Sequence, residues 1–247
     1  MTEPCRDLKV DGLVNARDLG GLPLSRGGTT PRGVFFRSEN IDAVTPDGWL
    51  QLHDAGIRTV VDLRQPDERA RDRHLRPSWL TTTVVDLDGL ESTDFWAHFW
   101  DNGLVGTALY FLPHLAAMPE RMAAVLAALS GAGDGGVLFH CMGGRDRTGL
   151  VSMVLLSVVG VEPEAIVDDY LETVRLGDVR AAAADRTNEE AAIERLLAAR
   201  GTTTEQAFRD ALAGLDLAAL LSTAGLSDRH QRVLRTWGGR GPSRQDA

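Results

Sequence analysis

The stretch Val137-Leu-Phe-His-Cys-Met-Gly-Gly-Arg-Asp-Arg-Thr-Gly149 decides how the chain is to be read. Its apolar start predicts a strand and its glycines a tight loop, while Leu150-Val-Ser-Met-Val-Leu-Leu-Ser-Val-Val159 behind it predicts a buried helix. In such a turn the backbone N–H groups of residues 142 to 147 can point inward. The following helix adds its positive end, so the loop is built to hold a tetrahedral dianion. The same field favours a thiolate at Cys141, the form in which a cysteine is a nucleophile. Arg147 closes the loop, and its planar fork can grip two oxygens of a phosphoryl group and keep them as charge spreads in the transition state. Glycine at 143 and 144 lets the backbone approach a ligand closely.

These residues point to a cysteine-dependent phosphomonoester hydrolase, with Cys141 and Arg147 catalytic and Met142, Gly143, Gly144, Arg145 and Thr148 around the substrate. The bland rival is a core thiol at a strand end beside a solvated turn. The combination of Cys, five residues, Arg and Thr at a strand-to-helix junction speaks against it. A rhodanese-like sulfurtransferase is a second rival, usually with a shorter loop. A phosphate-ester-binding pseudophosphatase is the non-enzyme rival.

The segment 140–149 resembles the signature of protein tyrosine phosphatases, in the bacterial tyrosine and dual-specificity branch whose loop usually reads His-Cys-x-Ala-Gly-Lys-Asp-Arg. Gly143 stands where that branch usually has Ala, and Arg145 where it has Lys. The resemblance extends in order to Asn15-Ala-Arg-Asp-Leu-Gly-Gly21, Phe36-Arg-Ser38, Val61-Asp-Leu-Arg64 and Asp169-Tyr-Leu-Glu-Thr173, and so covers roughly residues 10 to 175. It implies a cysteinyl-phosphate intermediate, no metal and no cofactor, and a phosphotyrosyl protein or other phosphomonoester as substrate. Dual-specificity or phosphoinositide hydrolysis is the alternative, and the charge of Arg145 suits a polyphosphorylated headgroup. For the general acid the resemblance implies Asp146. Asp86 and Asp88, after a strand, are what a separate acid loop would supply, and a carboxyl beside two arginines is held ionised.

The chain of 247 residues, 43% hydrophobic, can bury a full core and fits one α/β domain: a central, mostly parallel sheet flanked by helices, with a helical C-terminal extension over 178–237. A net charge of −9 argues against nucleic acid as partner. The longest near-apolar run, Leu150 to Val161, is shorter than the roughly 20 residues that span a bilayer, so stable membrane insertion is not expected. The first residues lack the charge and apolar run of a secretory leader, and a cytoplasmic protein is expected. Cys5 and Cys141 are the only cysteines, which leaves no framework for a structural disulfide or zinc site. Nothing in the sequence sets an oligomeric state.

Strands are expected at 34–38, 57–64 and 81–86. A helix is expected from Pro46, capped by Thr45, to about Ala55, and another after Pro66. Arg64, at a strand's carboxyl end, is a candidate substrate contact, although pairing with Asp67 or Glu68 is the commoner fate of such a residue. Phe95, Trp96, Phe99 and Trp100 give one helix an aromatic face. That face is either core or part of a lid over 90–118. Helices are expected at 119–130, 162–175, 186–199, 204–213, 216–223 and 228–237, with Thr202 and Glu205 at capping-box spacing. The end from Gly238 is expected to fray.

Overall fold

The computed structural model describes residues 6–72 and 74–238. Cys5 and the final stretch 239–247 therefore lie outside the described residues. Five strands, β1 (Arg17–Asp18), β2 (Phe35–Ser38), β3 (Ile57–Asp62), β4 (Thr81–Val84) and β5 (Gly136–His140), form one sheet in the order β1-β2-β5-β3-β4. Only the β1–β2 pairing is antiparallel; β2–β5, β5–β3 and β3–β4 are parallel. This is the mostly parallel α/β sheet the sequence predicts.

Strand residues alternate between two cores, as a period of two requires. Phe35, Val61, Val137 and Phe139 face the larger one, whereas Phe36, Val60 and Leu138 face the smaller. The smaller core is closed by α1 (Pro46–Asp54) through Trp49 and Leu52. Thr45 caps α1 with its hydroxyl at 3.1 Å from the Gly48 N–H, and Pro46 occupies the first helical position, where no N–H is needed. The larger core takes α5 (Pro119–Ser130), α6 (Asp146–Val159), α7 (Pro163–Arg175), α10 (Thr204–Ala213), α11 (Leu217–Thr223) and α12 (Asp228–Arg235). α6 runs through its centre and is apolar all round, with eleven of its residues buried.

Several expectations need correction. The helix after Pro66 is a single turn, α2 (Pro66–Arg69), and no further helix precedes β4 among the described residues. For 90–118, open in the sequence between core and lid, the packing supports core for two of the four aromatic rings, while Trp100 is exposed. In α3 (Thr93–Asp101) Trp96 and Phe99 are buried in the main core, and a 3-10 turn (Ala108–Tyr110) leads into α4 (Phe111–Ala117). A helix not foreseen, α8 (Gly177–Ala183), precedes α9 (Glu190–Ala198). The cap of α10 is Thr203, not Thr202: its hydroxyl accepts from the Gln206 N–H at 3.0 Å. No helix among the described residues is long and apolar enough to cross a membrane.

Candidate active site

Parallel register brings Ser38, His140 and Asp62 side by side at the carboxyl ends of β2, β5 and β3, the edge where open α/β sheets hold ligands. From there the chain turns through 141–145 into the start of α6.

The orientation of this turn follows from where its carbonyls go. Cys141 O accepts from His140 Nδ1 at 3.1 Å, and Met142 O from the Asn40 N–H at 2.9 Å. Gly143 O accepts from Arg180 Nε at 3.1 Å and Gly144 O from Arg37 Nη2 at 2.7 Å. Arg145 O accepts the first α6 bond, from Gly149 N at 2.9 Å. Five consecutive carbonyls are thus tied outward, and the N–H groups of residues 142–145 donate to no described group. Because each peptide unit is planar, those N–H groups face the interior of the turn. Gly144 is needed for the shape. Its φ is +66°, and a Cβ there would lie 2.6 Å from Ser38 O and 2.7 Å from Glu39 N.

Cys141 sits at the floor, 2% exposed, and Thr148 Oγ1 donates to its Sγ at 3.2 Å. His140 is fully buried and burial drops its pKa to about 4. It is therefore neutral, with Nδ1 as donor and Nε2 3.8 Å from Asp62 Oδ1. It shapes the loop but adds no positive charge to it.

Arg147 is gripped from behind. Its Nη1 and Nη2 donate to the two carboxylate oxygens of Glu68, each at 2.6 Å, and Nη1 also reaches Leu63 O at 3.1 Å and Asp88 Oδ2 at 3.3 Å. That occupies the end of the fork. Nε donates to no described group and is not sealed from solvent, so the Nε side of the guanidinium is open. The arginine raises its own hold by keeping Glu68 below the ordinary glutamate pKa, despite the opposing effect of burial.

The two sets of candidate acids lie in different surroundings. Asp146 is one-third exposed and its carboxylate pairs with Arg145 Nη1 at 3.0 Å. Asp88 is nearly buried, and burial, the largest influence, raises its pKa against the pull of Arg147 and Gln65. Gln65 Nε2 holds both Asp88 Oδ2, at 2.9 Å, and Asp86 Oδ1, at 3.0 Å. Trp96 Nε1 donates to Asp88 O and His114 Nε2 to Leu87 O, each at 2.9 Å, so the segment is fastened rather than loose. Asp86 pairs with Arg121 at 2.8 Å and is held below the usual aspartate pKa. Tyr110, buried by the rings of Trp96, Phe99 and Phe111, stands close enough to Asp146, Asp88 and Cys141 for their charge to push its pKa up beyond the effect of burial.

Two predicted contacts do not face the cradle. Arg145 is buried, its Nε bonded to Glu190 of α9 at 2.9 Å and Nη1 to Gly106 O and Asp146, with its guanidinium 5.8 Å from the Tyr170 ring centroid. Arg64 is equally spent: it takes Asp62 through Nε and Nη2 and Asp42 through Nη1 at 2.6 Å, and it pairs with neither Asp67 nor Glu68. Met142, Gly143 and Gly144 lie in the turn, and Thr148 in the first turn of α6. The sequence reading missed Glu68, Gln65, Asn40, Arg180 and Glu190. Only the Gln65-Pro-Asp-Glu68 spacing carried a signal, that of a helix start with an acid at its third position.

A turn of inward N–H groups around a buried cysteine, with an arginine in the first turn of the buried helix behind it, is arranged to hold a tetrahedral anion beside a thiol. The profile of the tyrosine phosphatase family matches residues 8–236, and the chain belongs to that family. A protein of Cupriavidus necator provisionally named a tyrosine-protein phosphatase is 31% identical over 173 residues, 68% of this chain and 63% of that one. A tyrosine-protein phosphatase of Nostoc commune is 29% identical, over 60% of this chain and 51% of that one. The triple specificity protein phosphatase PtpB of Mycobacterium tuberculosis is 30% identical, over 57% of this chain and 61% of its own length. The chain thus spans between half and two-thirds of the length of these relatives. The crystal structure of a cysteine-to-serine variant of P. aeruginosa TpbA in complex with pTyr aligns at TM-score 0.46 and 15% identity, covering 92% of this chain and all of that one.

Proposed function

We propose that this chain hydrolyses phosphomonoesters, phosphotyrosyl protein foremost, through a cysteinyl-phosphate. The observation that carries the proposal is the turn whose five carbonyls are anchored outward around Cys141, with the open side of Arg147 at its rim. The inward N–H groups match the three equatorial oxygens of a phosphoryl group, and Arg147 meets the charge that develops on them. The Cys141 thiolate attacks phosphorus in line; the S–P bond forms as the bond to the leaving oxygen breaks. Water then attacks the cysteinyl-phosphate, releasing phosphate and restoring the thiolate, to which Thr148 donates.

In this reading Asp88 gives the leaving oxygen its proton and then takes one from the attacking water. Its place beside Arg147, at 3.3 Å, supports that role, and burial shifts its pKa in the direction a proton donor needs, against the opposing pull of Arg147. Asp146 is the second reading, supported by its position between Arg145 and Arg147, and under the first reading it is an electrostatic partner of Arg145. The names of the relatives support phosphotyrosine, and that of PtpB supports a wider range. Phosphoinositide headgroups are the wider alternative, although Arg145, engaged by Glu190, gives them less support than its sequence position suggested. We assign the protein to the cytoplasm, where a reducing environment keeps a nucleophilic thiol such as Cys141 usable.

The test is turnover of a phosphotyrosyl peptide, a phosphoseryl peptide, a phosphoinositide and a small aryl phosphate by the wild-type chain and by Cys141→Ser. Hydrolysis led by the phosphotyrosyl peptide and abolished in the variant is expected, with phosphate binding retained. Turnover that survives in Cys141→Ser removes the nucleophile assignment.

A further inference from the structure

We infer that Arg37 is a positioning residue for this reaction, holding the anion cradle from behind both through the Gly144 carbonyl and through its own charge. The inference rests on the phosphatase reading above. β2 carries Arg37 opposite Phe139 of β5, one step before the Ser38–His140 pair at the loop's base. The side chain is fully buried. Nη2 donates to Gly144 O at 2.7 Å and Nη1 to Asp169 Oδ2 at 2.6 Å; Nε is buried and has no partner.

Behind it lies a charge cluster that does not balance. Arg6, Arg17 and Arg37 all pair with the one carboxylate of Asp169, at 2.9, 2.9 and 2.6 Å. Asn15 and Thr173, which complete the shell, are neutral hydrogen-bonding partners. Asp18, which takes the N–H groups of Gly20 and Gly33, also acts electrostatically on Arg6, and Glu39, which takes those of Val14 and Asn15, acts on Arg180, so Arg17 and Arg37 are left to share the carboxylate of Asp169. Cys141 is within electrostatic reach of Arg37 on the loop side. Burial and the neighbouring Arg17 depress Arg37 to about 10, which still leaves it charged near neutrality.

A buried cation with an unpartnered N–H is unfavourable for the fold alone. Positive charge in excess, fixed within a poorly screened interior, becomes favourable once a dianion occupies the cradle. Asp169 then has two opposite effects. It fixes the arginines in place, and it cancels part of the field they exert on the loop.

That opposition provides the test. Binding of inorganic phosphate is measured by calorimetry for the wild-type chain, Arg37→Met, Arg37→Lys and Asp169→Asn, with thermal unfolding as a check on each fold. Arg37→Met should weaken phosphate on the order of tenfold, and Arg37→Lys should restore most of that loss. Asp169→Asn keeps an acceptor but removes the negative charge, and should tighten phosphate by about twofold or more. Weakening of similar size in Arg37→Met and Asp169→Asn would show that the cluster acts by geometry alone and overturn the inference, as would unchanged binding in both. If Asp169→Asn lacks a cooperative unfolding transition, Arg6→Gln decides. It removes a charge from the far side of the cluster without touching the loop and should weaken phosphate by roughly twofold; undiminished binding overturns the inference. A wild-type chain that binds no phosphate overturns the phosphatase reading itself, and the inference with it.

Discussion

Replacing Glu68 by alanine tests whether the carboxylate behind Arg147 serves the arginine or competes for it. Glu68 takes the Nη1–Nη2 end of the fork, two contacts of 2.6 Å with side chains 15% and 20% exposed, and leaves the Nε side open. A phosphoryl group approaching along that side does not displace it. Removing Glu68 should therefore leave Arg147 under-held, by Leu63 O and Asp88 alone. A charge-assisted pair of this kind contributes about 1.5–3 kcal/mol when buried, and partial exposure puts the value here at the lower end. If all of it is orientation expressed in the transition state, kcat/KM falls roughly tenfold to thirtyfold. Stability should fall as well, by about 1 kcal/mol from the start of α2 alone, because the lost carboxylate also accepts from the Gln65 N–H there. Glu68→Gln, which keeps one acceptor, should lie between. The assay is steady-state hydrolysis of a phosphotyrosyl peptide together with the inhibition constant of inorganic phosphate. A rise in kcat/KM with tighter phosphate inhibition in Glu68→Ala would refute the reasoning, because it would mean that Glu68 occupies the substrate's place.

Asp88→Asn should slow hydrolysis of phosphotyrosine on the order of a hundredfold more than that of an aryl phosphate with a good leaving group, and flatten the alkaline limb of the pH–rate profile. If Asp146→Asn shows that contrast instead, the acid lies inside the loop. Gly144→Ala should destabilise the fold by about 2–3 kcal/mol and nearly abolish turnover, since its φ of +66° and the 2.6 Å approach to Ser38 O leave no room for a methyl group; chemical denaturation and turnover measure the two losses. His140→Gln concerns pH. With a folded pKa of about 4 below an unfolded value near 6.5, the wild-type chain loses stability as pH falls from about 6.5 to about 4, up to roughly 3 kcal/mol, and the variant should lack that increment. Raised carboxylates such as Asp18, Glu39 and Asp88 act with the opposite sign in both proteins and cancel in the difference, so equal acid slopes in wild type and variant would refute it.

What could be read from the sequence was what consecutive residues decide. The strand, turn and helix of 137–159 were legible because apolar run, glycines and helix lie within one continuous segment, and α1 because Thr45 and Pro46 sit side by side. Partners of charged residues were not legible. Arg64 lies two residues from Asp62 and four from Glu68, yet it takes Asp62 and Asp42, while Glu68 is drawn to Arg147 across 79 positions. Choice among carboxylates of like chemistry is made by which strands are neighbours, and β3 beside β5 brings Leu63 and α2 to the head of α6. The aromatic face of α3 left two readings because periodicity shows that a face is apolar without showing what covers it. In the structure Trp96 meets Tyr110 and Trp100, and its indole fastens Asp88 O.

The contrasting fates of Arg145 and Arg147 could have been argued from helix geometry alone. At about 100° per residue, positions two apart at the head of a helix point roughly 200° from each other. If Arg147 closes the cradle, Arg145 must face away from it, whatever its charge suggests. The structure obeys this: Arg147 turns toward Glu68 and Leu63, and Arg145 toward Glu190, Gly106 O and the Tyr170 ring. What Arg145 faces is in turn connected to the loop by another route. Glu190 also accepts from Arg180 Nη1 at 3.2 Å, and Arg180 Nε holds the Gly143 carbonyl outward. A residue that the sequence assigned to the substrate therefore joins α8 and α9 to the turn. Through Gly143, those two helices help aim the N–H groups on which the proposed anion binding depends.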